Sequence, residues 1–179
     1  MTMRRVTMLV AGAVVLALGV AACGGGSGGA RVTGIGFGIT FNMPKQFAIA
    51  GSVDIGVSAG AQPAARIAVG IDNDNLIIFS RYDLRITVTK DKLSMVKAEV
   101  DKVIAQLAHK PVNGREVEYG GMPGYEYLIA LRTPVNGVSR MAVLFDNKIE
   151  YLVNCQSTPN HRDDVDSGCQ TVLGSLERA

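Results

Sequence analysis

The sequence predicts an α+β domain built on a mainly antiparallel sheet flanked by helices. Three observations carry that prediction. Apolar and polar residues alternate over 84–88, 125–131 and 141–155, the period of strands with two distinct faces. Apolar residues recur at helical spacing over 93–107 and 165–176, the stripe of helices that pack on one side. The connections between the later strands are short, which favours antiparallel neighbours.

The N-terminus sets the address of the chain. Met1 to Arg5 is short and positive, and Val6 to Val20 is an uncharged, largely apolar run of 15 residues. That is the n-region and h-region of a secretory signal peptide. The run is shorter than the roughly 18–20 residues that span a bilayer as a helix. Val20-Ala21-Ala22-Cys23 closes it. These four residues resemble a bacterial lipobox, which implies cleavage after Ala22, a diacylglycerol on the Cys23 thiol and acylation of the new amine. Several acyl chains on one residue hold a membrane better than a single chain does. The Arg4-Arg5 pair leaves the export route open. Gly24 to Ala30 is rich in glycine and serine, a flexible coil whose reach is about 15 Å. The expected organisation is a signal peptide over 1–22, a lipidated tether over 23–34 and one domain over 35–179.

Removing Arg4 and Arg5 leaves sixteen basic against sixteen acidic residues. A neutral domain lacks the positive footprint of a nucleic-acid binder. The 47% hydrophobic content also excludes a disordered chain.

Along the folded part, Val32 to Met43 reads as an extended strand ending at Pro44. Residues 47–63 are rich in Gly, Ala and Ser and read as irregular, with room for short strands. Ala65 to Ile71 and Asn75 to Arg81 are apolar runs separated by the turn cluster Asp72-Asn73-Asp74. Leu84, Ile86 and Val88 mark a half-buried strand. Leu93, Val96, Val100, Val103, Ile104 and Leu107 form the first helical stripe. Thr89 or Asp91 suits its start, and Lys110-Pro111 ends it, because the residue before proline disfavours helical dihedrals. Three strands are expected next. Tyr125, Tyr127, Ile129 and Leu131 line the first, and Met141, Val143 and Phe145 the second. After a turn at Asp146-Asn147, Ile149, Tyr151, Val153 and Cys155 line the third. Val165, Cys169, Val172, Leu173 and Leu176 mark the closing helix.

Cys155 falls on the apolar parity of its strand and Cys169 on the apolar stripe of its helix, so both point into one strand–helix layer. Export places them where disulfides persist, and a Cys155–Cys169 bridge is expected. No metal site is expected: His161 is the nearest histidine, and the spacing fits no zinc pattern.

Gly56-Val57-Ser58-Ala59-Gly60 matches the nucleophile-elbow string. That string carries chemistry only on a sharp strand-to-helix turn with an acid and a histidine behind it. The residues after Ser58 run to Pro63 without a helical stripe. Asp72-Asn73-Asp74-Asn75, with Asp83 at the twelfth place, is a faint calcium-loop pattern. Leu76 and Ile77 occupy places that need an oxygen ligand and a turn glycine, so a plain turn is expected. His109 reads as an exposed histidine at a helix C-terminus, and Asp163, Asp164 and Asp166 as acids near a helix N-terminus. No catalytic residue and no cofactor is expected.

Four stretches resemble the Mog1/PsbP-like domain shared by actinobacterial lipoproteins of the LpqN/LpqT type. They are Gly120-Gly121-Met122-Pro123-Gly124-Tyr125-Glu126-Tyr127, Arg140-Met141-Ala142-Val143-Leu144-Phe145, Ile149-Glu150-Tyr151-Leu152-Val153-Asn154-Cys155, and the opening Phe41-Asn42-Met43-Pro44-Lys45-Gln46-Phe47. The resemblance spans residues 35–177. It implies an α/β/α sandwich with roles in binding or assembly, and no catalytic residues. The expected function is a non-catalytic lipoprotein on the outer face of the cytoplasmic membrane, acting on an envelope or membrane protein. The alternative is a carrier of a lipid or other apolar ligand between helix and sheet. A hydrolase using Ser58 is third.

Overall fold

The apolar runs within 76–81 and 141–155 build the middle of the sheet. A computed structural model describes residues 29–34, 36–50, 62–131 and 136–179. Its main sheet runs in the order β3-β4-β5-β8-β7-β6, with every neighbouring pair antiparallel. These strands are β3 (Ala48–Ala50), β4 (Ala65–Gly70), β5 (Leu76–Val88), β6 (Arg115–Tyr119), β7 (Met122–Ala130) and β8 (Val138–Ser157). A second sheet of three short strands, in the order β1-β2-β9, joins β1 (Arg31–Thr33), β2 (Ile39–Asn42) and β9 (Glu177–Arg178). Two helices complete the fold, α1 (Leu93–Ala108) and α2 (Arg162–Gly174), each entered through one 3-10 turn.

The strand β8 is not one straight run. Its first part pairs with β7, from Val138 to Leu144, and its last part pairs with β5, from Asn147 to Gln156. Ser139 Oγ donates a hydrogen bond to Asn154 Oδ1. Fifteen extended residues would set these two about 50 Å apart. β8 therefore doubles back at Asp146–Asn147, where Asn147 takes a φ of 57°. The expected turn is present, and its two arms form the centre of the sheet.

Each arm is covered on both faces, which is why its two parities are both apolar. Met141, Val143, Phe145 and Leu152 pack with Tyr125, Tyr127, Ile129 and with Leu93 and Ile104 of α1. On the other face Ala142, Leu144, Tyr151, Val153 and Cys155 pack with Val165, Cys169, Val172 and Leu173 of α2 and with Phe41 and Phe47. The architecture is the α/β/α sandwich that was expected.

Several local expectations are corrected. Val32 to Met43 is two strands, because the chain turns where Gly36 and Gly38 take φ of 76° and 82°. β1 opens at Arg31, ahead of the expected boundary at residue 35. The runs over 75–81 and 84–88 are one strand, β5, interrupted after Asp83, where five residues of β5 pass two of β8. Four strands rather than three are counted between the helices if the arms of β8 are taken separately, because β6 was missed. Neither Thr89 nor Asp91 caps α1 through its side chain; Lys92 holds that place with no such bond. The helix does end as expected, at His109, in left-handed conformation with φ 52°.

Candidate functional site

Cys23 and Ser58 lie outside the described residues. The expected disulfide is present: Cys155 of β8 and Cys169 of α2 are joined, with Cα atoms 6.0 Å apart, within the usual range for a bridge. Both residues are almost fully buried, so the bond ties the last helix to the central arm of the sheet.

The Asp72 to Asn75 segment is a turn. The Asp72 carboxylate accepts from the Asp74 and Asn75 backbone N–H at 2.8 and 2.9 Å and from the Asn75 side-chain amide. Burial pushes the Asp72 carboxyl up, but these donors outweigh it and hold it below its usual value. Leu76 and Ile77 are buried in β5. Among the described residues no group of three or more His, Cys, Asp or Glu is placed to hold a metal ion. His161 sits 3.1 Å from the Asp164 carboxylate at the start of α2.

Two features not read from the sequence stand out. The first is an open sheet face. Even-numbered residues of β7 point to the α2 side, yet α2 does not reach Leu128, which is 72% exposed. Around it Glu126 gathers three partners. Arg140 reaches it at 2.8 and 2.9 Å, Arg115 at 2.7 Å and the Tyr119 hydroxyl at 2.9 Å. Burial raises the Glu126 carboxyl, but Arg140, Arg115 and Tyr119 outweigh it and hold the group below its usual range. The result is a fixed plate of arginine, tyrosine and leucine with two guanidinium groups to one carboxylate.

The second is a groove of about 270 Å³ between α1 and the sheet. Val100, Val103, Ile104 and Leu107 of α1 form one wall, and Val143 and Leu152 of β8 form the floor. Leu84 and Tyr82 of β5 lie opposite. Glu150 stands on this floor, between Ile149 and Tyr151, which face α2. Burial alone pushes its carboxyl above the usual carboxylate range. It has no hydrogen-bond or ion-pair partner among the described residues. Asp83 and Glu99 are at the rim, Asp83 paired with Arg81 at 2.9 Å and Glu99 facing Lys102 at 3.8 Å.

Beside the groove, Asp101 of α1 is fully engaged. It accepts from Tyr127 Oη at 2.7 Å, Lys97 Nζ at 2.6 Å and Gly114 N at 3.2 Å. Burial raises its carboxyl, but the Lys97, Tyr127 and Gly114 bonds win and lower it. Burial and the bond to that carboxylate push the Tyr127 hydroxyl up strongly. This set fastens α1 to β7.

The sequence matches no protein-family model and no curated protein. Solved structures do match. A protein of Bacteroides thetaiotaomicron VPI-5482 aligns with a TM-score of 0.56 at 10% identity, over 84% of this chain and 48% of its own. This chain thus spans about half the length of that protein. Cyanobacterial PsbP (CyanoP) of Synechocystis sp. PCC 6803 aligns with a TM-score of 0.56 at 17% identity, over 89% of this chain and 98% of its own. LpqN of Mycobacterium tuberculosis, involved in cell envelope biogenesis, aligns with a TM-score of 0.45 at 12% identity, over 83% and 84%. At these identities the likeness is one of fold. Antiparallel sheet, flanking helices and the CyanoP match together make this a Mog1/PsbP-like fold.

Proposed function

We propose that this chain is an envelope lipoprotein, anchored through Cys23 on the outer face of the cytoplasmic membrane, whose domain is a non-catalytic binding module for an envelope or membrane protein. The open sheet face carries this reading. Leu128 is an exposed apolar side chain set among ordered Arg115, Arg140 and Tyr119. Arginine and aromatic residues are enriched at protein interfaces, and a preordered surface loses less entropy on docking. The excess of guanidinium over carboxylate favours a partner with acidic and apolar side chains. No helix among the described residues is long and apolar enough to cross a membrane. The Lpq-type resemblance of the sequence points to an actinobacterial source.

A photoreactive residue placed at 128 in membrane-bound protein tests the reading. One discrete protein adduct is expected, lost when Arg115 and Arg140 are both changed to Ser. No adduct from intact membranes sinks it. A fluorophosphonate label that disappears in Ser58→Ala would restore the hydrolase reading instead. A second reading, a ligand carrier, is favoured by the groove under α1, whose size suits a compact ligand rather than a diacyl lipid.

A further inference from the structure

We propose that the groove between α1 and the sheet binds a small organic cation, with its ammonium group against Glu150 and a compact apolar body against Val100, Val103, Ile104 and Leu107. The inference rests on the carrier reading and names its ligand class.

Charge, volume and chemistry agree on this occupant. A carboxylate in an apolar setting is costly unless a counter-charge meets it, and no described residue supplies one to Glu150. No Lys, Arg or His lines the groove among the described residues, and the two acids at its mouth, Asp83 and Glu99, are offset by Arg81 and Lys102. A ligand that brings its own cation completes the site; an anion would meet the unpaired Glu150 carboxylate. The volume of about 270 Å³ exceeds the roughly 150 Å³ that accommodates benzene. It therefore takes one ring or a short alkyl body with an ammonium arm. The four apolar side chains of α1 are spaced to cover one side of such a body, and Leu152 and Val143 the other.

The test uses the full-length protein in detergent, methyl-labelled at Ile, Leu and Val, titrated with phenethylamine and with phenethyl alcohol. The amine should give saturable shifts at Ile104, Leu107 and Val100. Glu150→Gln, which keeps the shape and removes the charge, should weaken the amine about tenfold. It should leave the weaker alcohol unchanged. Asp83→Asn at the rim should change affinity less than about threefold, since exposed charges are screened. Amine affinity should rise with pH as Glu150 ionises. Tyr82, Asp83 and Glu99 also face the groove, so the loss of that rise in Glu150→Gln is the assignment. If the alcohol binds as well as the amine and Glu150→Gln changes nothing, the cation assignment fails while the carrier reading stands. If neither probe moves these methyls, the carrier reading fails with it. Shifts that appear only after residues 51–61 are replaced by a glycine linker would give the groove to this chain's own segment and overturn the proposal.

Discussion

Glu150 and Glu126 sit in the same sheet and respond to pH with opposite sign. Burial raises the folded pKa of Glu150 above its ordinary 4.5, so the unfolded chain releases this proton first. Stability from this site is fullest below that value and falls as pH rises through the folded one. Glu150→Gln should therefore raise the melting temperature at pH 7 and flatten the pH dependence above 4.5. Glu126 is the reverse case. Burial opposes ionisation, but Arg140, Arg115 and Tyr119 depress its pKa below 4.5. Its contribution is present above 4.5 and is lost as pH falls through the folded value. Glu126→Gln should cost about 1.5–3 kcal/mol at neutral pH, the worth of hydrogen bonds to a charged group, and blunt the acid transition. Melting curves over a pH series read both. A third residue acts by size alone. A Cβ on Gly124 would lie 2.0 Å from the Val143 carbonyl oxygen and 2.9 Å from Leu144 Cα. Backbone atoms in mid-sheet cannot yield, so Gly124→Ala should cost about 3 kcal/mol, the upper end for overpacking. Denaturant midpoints check it.

At the scale of elements, the disulfide and α1 make different demands. The Cys155–Cys169 bond closes a loop of about 15 residues, worth about 3 kcal/mol on the chain-entropy model. Reduction should lower stability by about that much and speed amide exchange in α2 before α1, seen by hydrogen exchange. On α1, Leu93 and Ile104 are the buried side chains, so Ile104→Ala should cost about 2–5 kcal/mol. The sequence carried both helices and the disulfide, because a 3.6-residue stripe and a cysteine on it are long-range regular signals. It did not carry β6, whose Arg115-Glu116-Val117-Glu118-Tyr119 is mostly solvated at a sheet edge, nor β9, which is two residues long. The groove was hidden for a different reason. Alternation over 149–155 suggested one wet face, and Glu150 fitted it. In fact the arm is central and covered on both sides, and Leu152 on the same parity as Glu150 is the signal that was available. The stripe of α1 likewise suggested a buried face, yet Val100, Val103 and Leu107 stay half-buried, because beside the core contacts of Val100 and Leu107 all three line a groove. Leu128 shares the parity of Glu126, opposite the Tyr125, Tyr127 and Ile129 face, so its exposure was legible, but the plate of Arg115, Arg140 and Tyr119 around it depends on pairing across strands that the sequence does not give.

For the whole molecule, sheet period and helix period in the observed order were enough to give the fold class. They say nothing about the attachment proposed above, which the first 23 residues would supply. Cys23→Ser should leave the protein with an uncleaved or miscleaved signal and without incorporated palmitate; retained label would remove the anchor from the proposal. The described chain is already held at Ala30, whose carbonyl accepts from Met43 N at 2.8 Å. On the Cys23 anchor proposed above, the seven residues from Gly24 to Ala30 would keep the open face within a few tens of ångströms of the lipid surface.

Pairing of β2 with β9 gives the chain a fixed order of assembly. The two arms of β8 are neighbours in sequence and can close in microseconds, as hairpins do. The small sheet instead joins Ile39 and Thr40 to Arg178 and Glu177, with Ala179 N donating to Gly38 O at 3.0 Å and Arg31 paired to Glu177. Such distant contacts carry the largest loop-closure entropy and form late. During folding, β2 must therefore wait for Glu177 and Arg178, which lie more than 130 residues further along the sequence. Until residues 177–178 are in place, Ile39 and Thr40 lack one of their two strand neighbours, and removal of residues 177–179 would leave β2 paired with β1 alone.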